Sequence, residues 1–533
     1  MRKPTRGAIA AGHPATAEAG AEMLRQGGNA FDAVVAAAFT SFFSELTLTS
    51  AAGGGFLTGY FGETEECILL DFFVDMPGRG HLGEVTPEGF FPVDVDFGAT
   101  RQEFHVGPAS AAVPGSLAGL LETHSLFGTL PLDAVTAPAI QYAREGIRVN
   151  RYQAFFFKIL RPILTYSEEG RRIFMPTGRL LKEGDRLVLE NFARTLEAFT
   201  AEGPALFYTG AVGDRLVQCL EGGGGLITED DLRAYRVAKR PTLSFNYRGY
   251  TILTNPPPSS GGALIALCLE LLQGVPMPSD AFQSQEALNA LVAAMQITNT
   301  LREREYDQRL HETGFAAELL SPGRLSRYRQ WHQALLSGEE PPAARDLAGG
   351  PSSTTHISAI DDQGNAASVT ASNGEGSGIF IPGTGIMVNN MLGEEDLNPA
   401  GFHRHAPGTR ISSMMSPTIV LKGKDPVAVL GSGGSNRIRS AITQTIMNLI
   451  DFGTDAREAV DAPRIHWERG MLNQEPGFQA SVSPRLCPRE NRILWKETNL
   501  FFGGVHVVTG DPRSRTFGGA GDHRRGGVAI VVE

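Results

Sequence analysis

The rhythm of hydrophobic and polar positions changes along this chain, and the change divides it. Residues 7–11 are a short apolar run that reads as a strand. Residues 16–26 read as a helix that stops at Gly27-Gly28, where glycine accepts the left-handed C-cap conformation. Asn29 then caps a second helix to about residue 45, rich in Ala and Phe and apolar on most sides, the pattern of a buried helix. Gly53-Gly54-Gly55 turns tightly into a strand at 57–61, and a further strand spans 67–74. A phosphate-cradling loop there would need GK[ST] or GxGxxG ahead of a helix, and neither is present. Val113-Pro114-Gly115-Ser116 leads into a helix at 117–126. From about 130 to 345 helical periodicity dominates. A strand near 242–254 interrupts it, followed by Pro256-Pro257-Pro258-Ser259-Ser260-Gly261-Gly262, which reads as a helix-capping turn before an apolar helix at 263–272.

Residues 339–353 are a linker of breakers, and beyond them strands take over. Segments 354–360 and 366–371 flank Asp361-Asp362-Gln363-Gly364-Asn365, a hairpin signal. Short strands follow at 379–381, 386–388, 418–421 and 427–430. Gly431-Ser432-Gly433-Gly434-Ser435-Asn436 then opens a helix at 437–451, with Ile438, Ile442, Ile446 and Leu449 on one stripe. The end of the chain reads as Gly/Arg-rich loop and a last strand at 528–532. Helices first, strands later, and strands apolar on both faces predict a layered α/β architecture of sheets covered by helices.

Composition narrows the function classes. The 533 residues are 42% hydrophobic and 20% charged, which supplies a sizeable core. The net charge of −11 comes without a basic block, so nucleic acid is not an expected partner. Four scattered cysteines form no CxxC or CxxH pair, which argues against a disulfide framework or a zinc site. Cys67 and Cys268 sit in apolar runs and are expected in the core. The apolar stretch at 8–11 is too short for a signal-peptide core, and no run reaches ~18 apolar residues. The expected location is the cytoplasm, with no membrane partner.

Candidate chemistry concentrates where the linker meets the strands. Cutting the Ser353–Thr354 bond would give Thr354 a hydroxyl and a free α-amine, a nucleophile with its own base. Such an amine has a reference pKa of about 7.7–8.0 and is partly neutral near pH 7. Read locally, the same stretch is a loop entering a hairpin. The backbone N–H groups of Gly433 and Gly434 would suit an oxyanion, or simply form a strand-to-helix turn. Ser412-Ser413 offers paired hydroxyls for a carboxylate or for loop backbone. Glu394-Glu395-Asp396 is either an ammonium site or a solvated loop. His403 and His405 lack a third ligand and are expected as loop histidines. His356 has no GxSxG nucleophile to serve.

Taken together, in order, these stretches resemble the γ-glutamyltranspeptidases (glutathione hydrolases) of the N-terminal-nucleophile hydrolase superfamily. The resemblance runs from Gln26-Gly27-Gly28-Asn29-Ala30 through Val113-Pro114-Gly115-Ser116 and Pro256-Pro257-Pro258-Ser259-Ser260-Gly261-Gly262. It continues through Thr354-Thr355-His356-Ile357-Ser358, Asn389-Asn390 and Ser412-Ser413 to Asp511-Pro512-Arg513. It implies a four-layer αββα sandwich and a precursor that cleaves itself before Thr354. Residues 1–353 would form a large subunit and 354–533 a small one, in one interleaved fold. It implies Thr354 as nucleophile, Thr355 as its helper, and Gly433 and Gly434 as the oxyanion hole, with Ser435 next in line. Ser412 and Ser413 would bind the glutamyl carboxylate. No metal or cofactor is implied, and the partners are a small γ-glutamyl amide and the precursor's own fragments. The pattern also departs from the family. Leu82 stands where an arginine usually pairs the carboxylate, with Arg79 the nearest cation. Met391 follows Asn-Asn, Glu394 replaces an aspartate, Ser372 a threonine, and the neighbouring asparagine is shifted to Asn373. The missing arginine favours one alternative, an amidase or acylase with the same nucleophile for another acyl group; a second, an unprocessed non-catalytic binding paralogue, is opposed by the intact Thr354-Thr355-His356 and the glycine pair.

Overall fold

The helix expected after Asn29 is the pillar of one face. Ala30–Ser44 is buried along its whole length. The Asn29 side chain accepts from the Phe31 and Asp32 amides while Asp32 accepts from the Asn29 amide, a reciprocal cap that fixes where the helix starts. With Pro14–Arg25, it covers one face of a seven-stranded sheet. The computed structural model that shows this describes residues 5–80, 88–96, 101–278, 283–339, 354–511, 513–514 and 516–533. Leu82, Ser353 and all of the 339–353 linker except Glu339 lie outside them.

In spatial order the first sheet runs Val528–Val532, Gly7–Ala11, Thr355–Asp361, Ala366–Ser372, Gly54–Tyr60, Cys67–Phe72 and Ala238–Arg240. The second runs Thr516–Ala520, Gly504–Asp511, Asp425–Gly433, Thr418–Lys422, Tyr250–Thr254 and Leu243–Tyr247. Neighbouring strands are antiparallel throughout both sheets. Both sheets draw strands from before and after Thr354, interleaved in the first and in two adjoining blocks in the second, so neither stretch owns a sheet.

Side chains alternate across each strand with period two. In Thr355–Asp361, Ile357 and Ala359 meet the covering helices while Ile360 joins the layer between the sheets. That inner layer uses Ala8, Ala10, Leu253, Ile419, Val429 and Val508. Each fully buried Leu, Ile or Val contributes about 1.5–3 kcal/mol, and the alanines between them let the sheets approach. Gly261–Leu272, Gln285–Leu301 and Arg437–Ile450 cover the outer face of the second sheet. The result is the expected αββα sandwich.

Three local expectations change. The end of the chain is not loop: Gly504–Asp511 and Thr516–Ala520 complete the second sheet, because Val505, Val507 and Val508 are fully buried there. A hairpin, Phe91–Asp96 with Arg101–Val106, fills a stretch for which no element was expected. Cys268 is buried, but Cys67 begins a strand at an exposed position. Among the described residues, no helix is long and apolar enough to cross a membrane.

Candidate active site

Two strand ends meet at the site. Thr354 immediately precedes the central strand Thr355–Asp361 of the first sheet, and Gly433 ends the central strand Asp425–Gly433 of the second. A Cβ on Gly433 would lie 2.0 Å from the Thr354 carbonyl oxygen, so only glycine permits this approach. Gly434 follows with φ 120° and Ser435 with φ 49°, a left-handed turn that leads into the helix Arg437–Ile450. Thr354 itself is buried. Arg525 donates from Nη1 to the Thr354 carbonyl and from Nη2 to the Leu500 carbonyl, both at 3.3 Å.

Thr355 points the other way, into the helix layer. Its Oγ1 donates to Glu45 Oε2 at 2.5 Å, and Thr16 Oγ1 donates to Glu45 Oε1 at 2.7 Å. Glu45 is the residue that ends the buried helix. Burial pushes its carboxyl up, while these hydroxyls and the charge of Arg525 pull it back. His356 faces the second sheet, bonded at 2.8 Å to the hydroxyls of Thr370 and Ser358. Burial holds its pKa well below the usual value, so it is a neutral structural histidine. His403 likewise rests on the Ala109 carbonyl at 2.9 Å, and His405 against the His311 ring.

The substrate-reading candidates are gathered by loops. The register pairs Thr355 with Ala371, so Ser372 stands opposite Thr354. Ser372 Oγ accepts from the Gly374 amide at 3.1 Å. Asn373 is fully buried, and its side-chain amide has no hydrogen-bond partner among the described residues. A Cβ at Gly374 would lie 2.1 Å from Asn390 Oδ1 and 2.3 Å from Glu394 Oε1. Asn390 Oδ1 accepts from the Glu375 and Gly376 amides at 2.8 and 3.1 Å. Asn389 ties Ala52 to Ala112 through its amide. Met391 and Leu392 follow, both fully buried.

Asp396 links this half to the glycine turn. It accepts from the Ser435 hydroxyl and, at 2.9 Å, from Asn436 Nδ2. The Leu397 carbonyl in turn accepts from Ser412 Oγ at 2.8 Å. The Ser413 carbonyl accepts from the Ser260 amide at 2.8 Å and Ser259 Oγ at 3.0 Å. This corrects the reading of the proline loop. Ser260 makes no side-chain cap to Gly261–Leu272, and both hydroxyls instead brace the Ser412-Ser413 loop. Beside Asp396 and Asn436 lies a polar cavity of about 250 Å³, also lined by Arg302, Asp307 and Glu468.

Arg79 is not brought to this cluster. Its half-exposed guanidinium has Nε 3.9 Å from Asp231, which also accepts the Gly78 and Arg79 amides. The cation nearest Ser412 in sequence, the half-buried Arg410, is committed to Asp71 at 3.3 Å and Asp75 at 3.0 Å. Sequence reasoning missed Glu45 and Arg525. The signal for Glu45 was a lone carboxylate closing an otherwise apolar helix. Arg525 was hidden in what read as loop.

Comparison with known proteins bears on the family and the fold. The sequence model of the family described as Gamma-glutamyltranspeptidase matches residues 16–532. An acylase ACY 1 proenzyme of Pseudomonas sp. (strain SE83) is 32% identical over 99% of this chain and 94% of its own. A glutathione hydrolase proenzyme of Bacillus subtilis (strain 168) is 29% identical over 99% and 91%. Among solved structures, a cephalosporin acylase from Bacillus halodurans superposes with a TM-score of 0.81, at 24% identity over 99% of this chain and 96% of that one, and shares the fold. A Helicobacter pylori gamma-glutamyltranspeptidase gives 0.53 at 26% identity, over 62% of this chain and 91% of that one. With a family match over almost its whole length, the chain belongs to the gamma-glutamyltranspeptidases, a family of amide hydrolases and acyltransferases.

Proposed function

We propose that this protein is a self-processing amide hydrolase and acyltransferase whose nucleophile is Thr354. The observation that carries the reading is the close approach of the Thr354 carbonyl to Gly433, the strand end that Gly434 follows. Cleavage of the Ser353–Thr354 bond frees the α-amine, which takes the proton from Thr354 Oγ1 as the hydroxyl attacks an amide carbonyl. The oxyanion is held by backbone N–H groups of Gly433 and Gly434. Collapse expels the amine and leaves an ester on Thr354, which water or an amine then resolves. Residues 1–353 and 354–533 stay together after the cut because strands of the two stretches pair with each other in both sheets. The relatives named proenzymes support the cut.

Two acyl groups remain in play, and the departures from the family pattern favour one. Met391 after Asn389-Asn390 is packed into the apolar core and Arg79 stands half exposed beside Asp231, so neither supplies a glutamate-reading polar group, which argues for an acyl amide other than γ-glutamyl. The acylase relative is consistent with this. The γ-glutamyl reading rests on the Ser412-Ser413 pair, braced as a unit by Ser259 and Ser260. A panel of aliphatic, aromatic and γ-glutamyl anilides tests the choice: turnover of another acyl group with γ-glutamyl inert is the expected outcome, and the reverse restores the γ-glutamyl reading. Two bands on a denaturing gel, about two thirds and one third of the chain by residue count, test the cut.

A further inference from the structure

Two adjacent arginines near the C-terminus have opposite surroundings. Arg524 is neutralised: it bonds Glu475 at 2.6 and 2.8 Å and Asp522 at 3.2 Å. Arg525, equally buried, has no ion pair among the described residues. Its bonds go to two carbonyls, of Thr354 and Leu500, and its Nε has no partner there. Its terminal nitrogens lie 3.0 and 3.1 Å from where a Cβ on Gly433 or Gly434 would stand. A buried cation without a direct ion pair is costly, and this one is pressed between the nucleophile and the oxyanion turn.

We propose that Arg525 is a positioning residue for turnover: it anchors the Thr354 carbonyl and, as a buried cation, keeps the α-amine in its neutral, proton-accepting form. The inference rests on the proposed cleavage before Thr354. A residue's own nitrogen lies within about 4 Å of its carbonyl oxygen, which puts the guanidinium within about 7 Å of the α-amine. A cation at that range disfavours a second positive charge, so the amine loses its proton at lower pH than the reference of about 7.7–8.0. At an intermediate effective dielectric, the expected depression is about one to two units.

The surrounding charges leave that sign intact. Arg437, on the helix behind the turn, adds a second cation, which Glu468 and Asp396 largely offset, and Glu375 acts on both Arg437 and Arg525. Asp522 is taken up by Arg464 at 2.7 Å and by Arg524. His356 and His506 are held neutral by burial. Glu45 has its carboxyl pushed up by burial and shared by two hydroxyls. Burial and Arg437 lower Arg525 itself to about 10, which leaves it charged at neutral pH.

Competitive acetylation of the cleaved wild-type protein across pH, read at the Thr354 amine by mass spectrometry, measures the effect directly. The expected midpoint lies about one unit or more below 7.7. In Arg525→Met the acid limb of kcat/KM should move up by about one to two units, and Arg525→Lys should hold it near the wild-type position. A purely structural role would lower activity and leave that limb in place. A wild-type midpoint at 7.7 or above, or an unmoved limb in cleaved Arg525→Met, overturns the proposal. If Arg525→Met does not fold, the wild-type labelling decides alone. A wild-type chain that stays whole sinks the cleavage reading together with this one, and N-terminal sequencing tells that failure apart.

Discussion

The two halves of the site are built from different materials. The nucleophile half is made from the ends of two central strands, each flanked on both sides by hydrogen-bonded neighbours. The substrate-reading half is made from connections: Ser372 to Gly376, Asn389 to Asn398, and Ser412 to Ser416. Those loops are held by side chains bonding backbone, as Asn389, Asn390, Ser412 and Ser259 do. Moving a strand end shifts a whole sheet, whereas changing a loop residue disturbs a few bonds. The first half is therefore constrained by the fold, and the second is free to be rewritten.

The comparison is broken most easily at its strongest point. Thr354→Ala should remain a single band on a denaturing gel and lose at least about 10³-fold in kcat, since no neighbouring hydroxyl replaces both attack and amine. Residual turnover above a few per cent would place the nucleophile elsewhere. Gly433→Ala should come next. Its methyl would overlap the Thr354 carbonyl, so the strand ends must part and the oxyanion donors move. The expected loss is about 10²–10³ in kcat. Near-normal kcat in a folded, cleaved Gly433→Ala would show that the two strand ends need not touch.

How much of this was legible in the sequence follows the same division. The capped, buried helix after Asn29 and the turn into Arg437–Ile450 were readable because local chemistry and tertiary role agree there, although the strand runs on through Gly431-Ser432-Gly433 and only Gly434-Ser435-Asn436 turn. The strands at 504–520 were not: Val505, Val507, Val508 and Thr509 carry a strand signal, but the glycines and arginines that follow mask the pair it forms with Thr516–Ala520. Ser259 and Ser260 were read as helix caps because capping is the commonest use of a hydroxyl before a helix. Their true partners are more than 150 residues away. Glu45 stood out as a carboxylate closing an apolar helix, but nothing nearby in sequence shows that it meets Thr355.

Glu45 also gives the next test, on stability. Thr355→Val removes one of the two hydroxyls that satisfy a buried carboxylate, at an expected cost of about 1–3 kcal/mol in urea unfolding. Glu45→Gln tests the sign with pH. Its carboxyl is raised above the ordinary value of 4.5, first by burial, so the folded state holds the proton more tightly than the unfolded one. That contribution is fully present below the unfolded value and is lost as pH rises through the folded one. Wild-type stability should therefore fall relative to Glu45→Gln as pH rises from about 4.5. A difference that is flat with pH would mean that Glu45 titrates alike in both states and does not carry a burial penalty beneath Thr355.

The smallest expected effect sharpens the comparison from the other side. Arg79 is the nearest cation to the position where a carboxylate-pairing arginine would be expected. Its guanidinium is 44% exposed and its Nε lies 3.9 Å from Asp231. An ion pair that open is worth about 0–1 kcal/mol. A true clamp would instead be bidentate and desolvated, and losing it would cost far more. Arg79→Gln should thus leave kcat/KM for the best acyl amide within about threefold of wild type and stability within about 1 kcal/mol. Should kcat/KM fall tenfold or more through KM alone, Arg79 reaches the substrate after all. The substrate-reading half would then extend to the Gly78-Arg79 turn, and the γ-glutamyl head group would regain the carboxylate partner that the loops around Met391 do not provide.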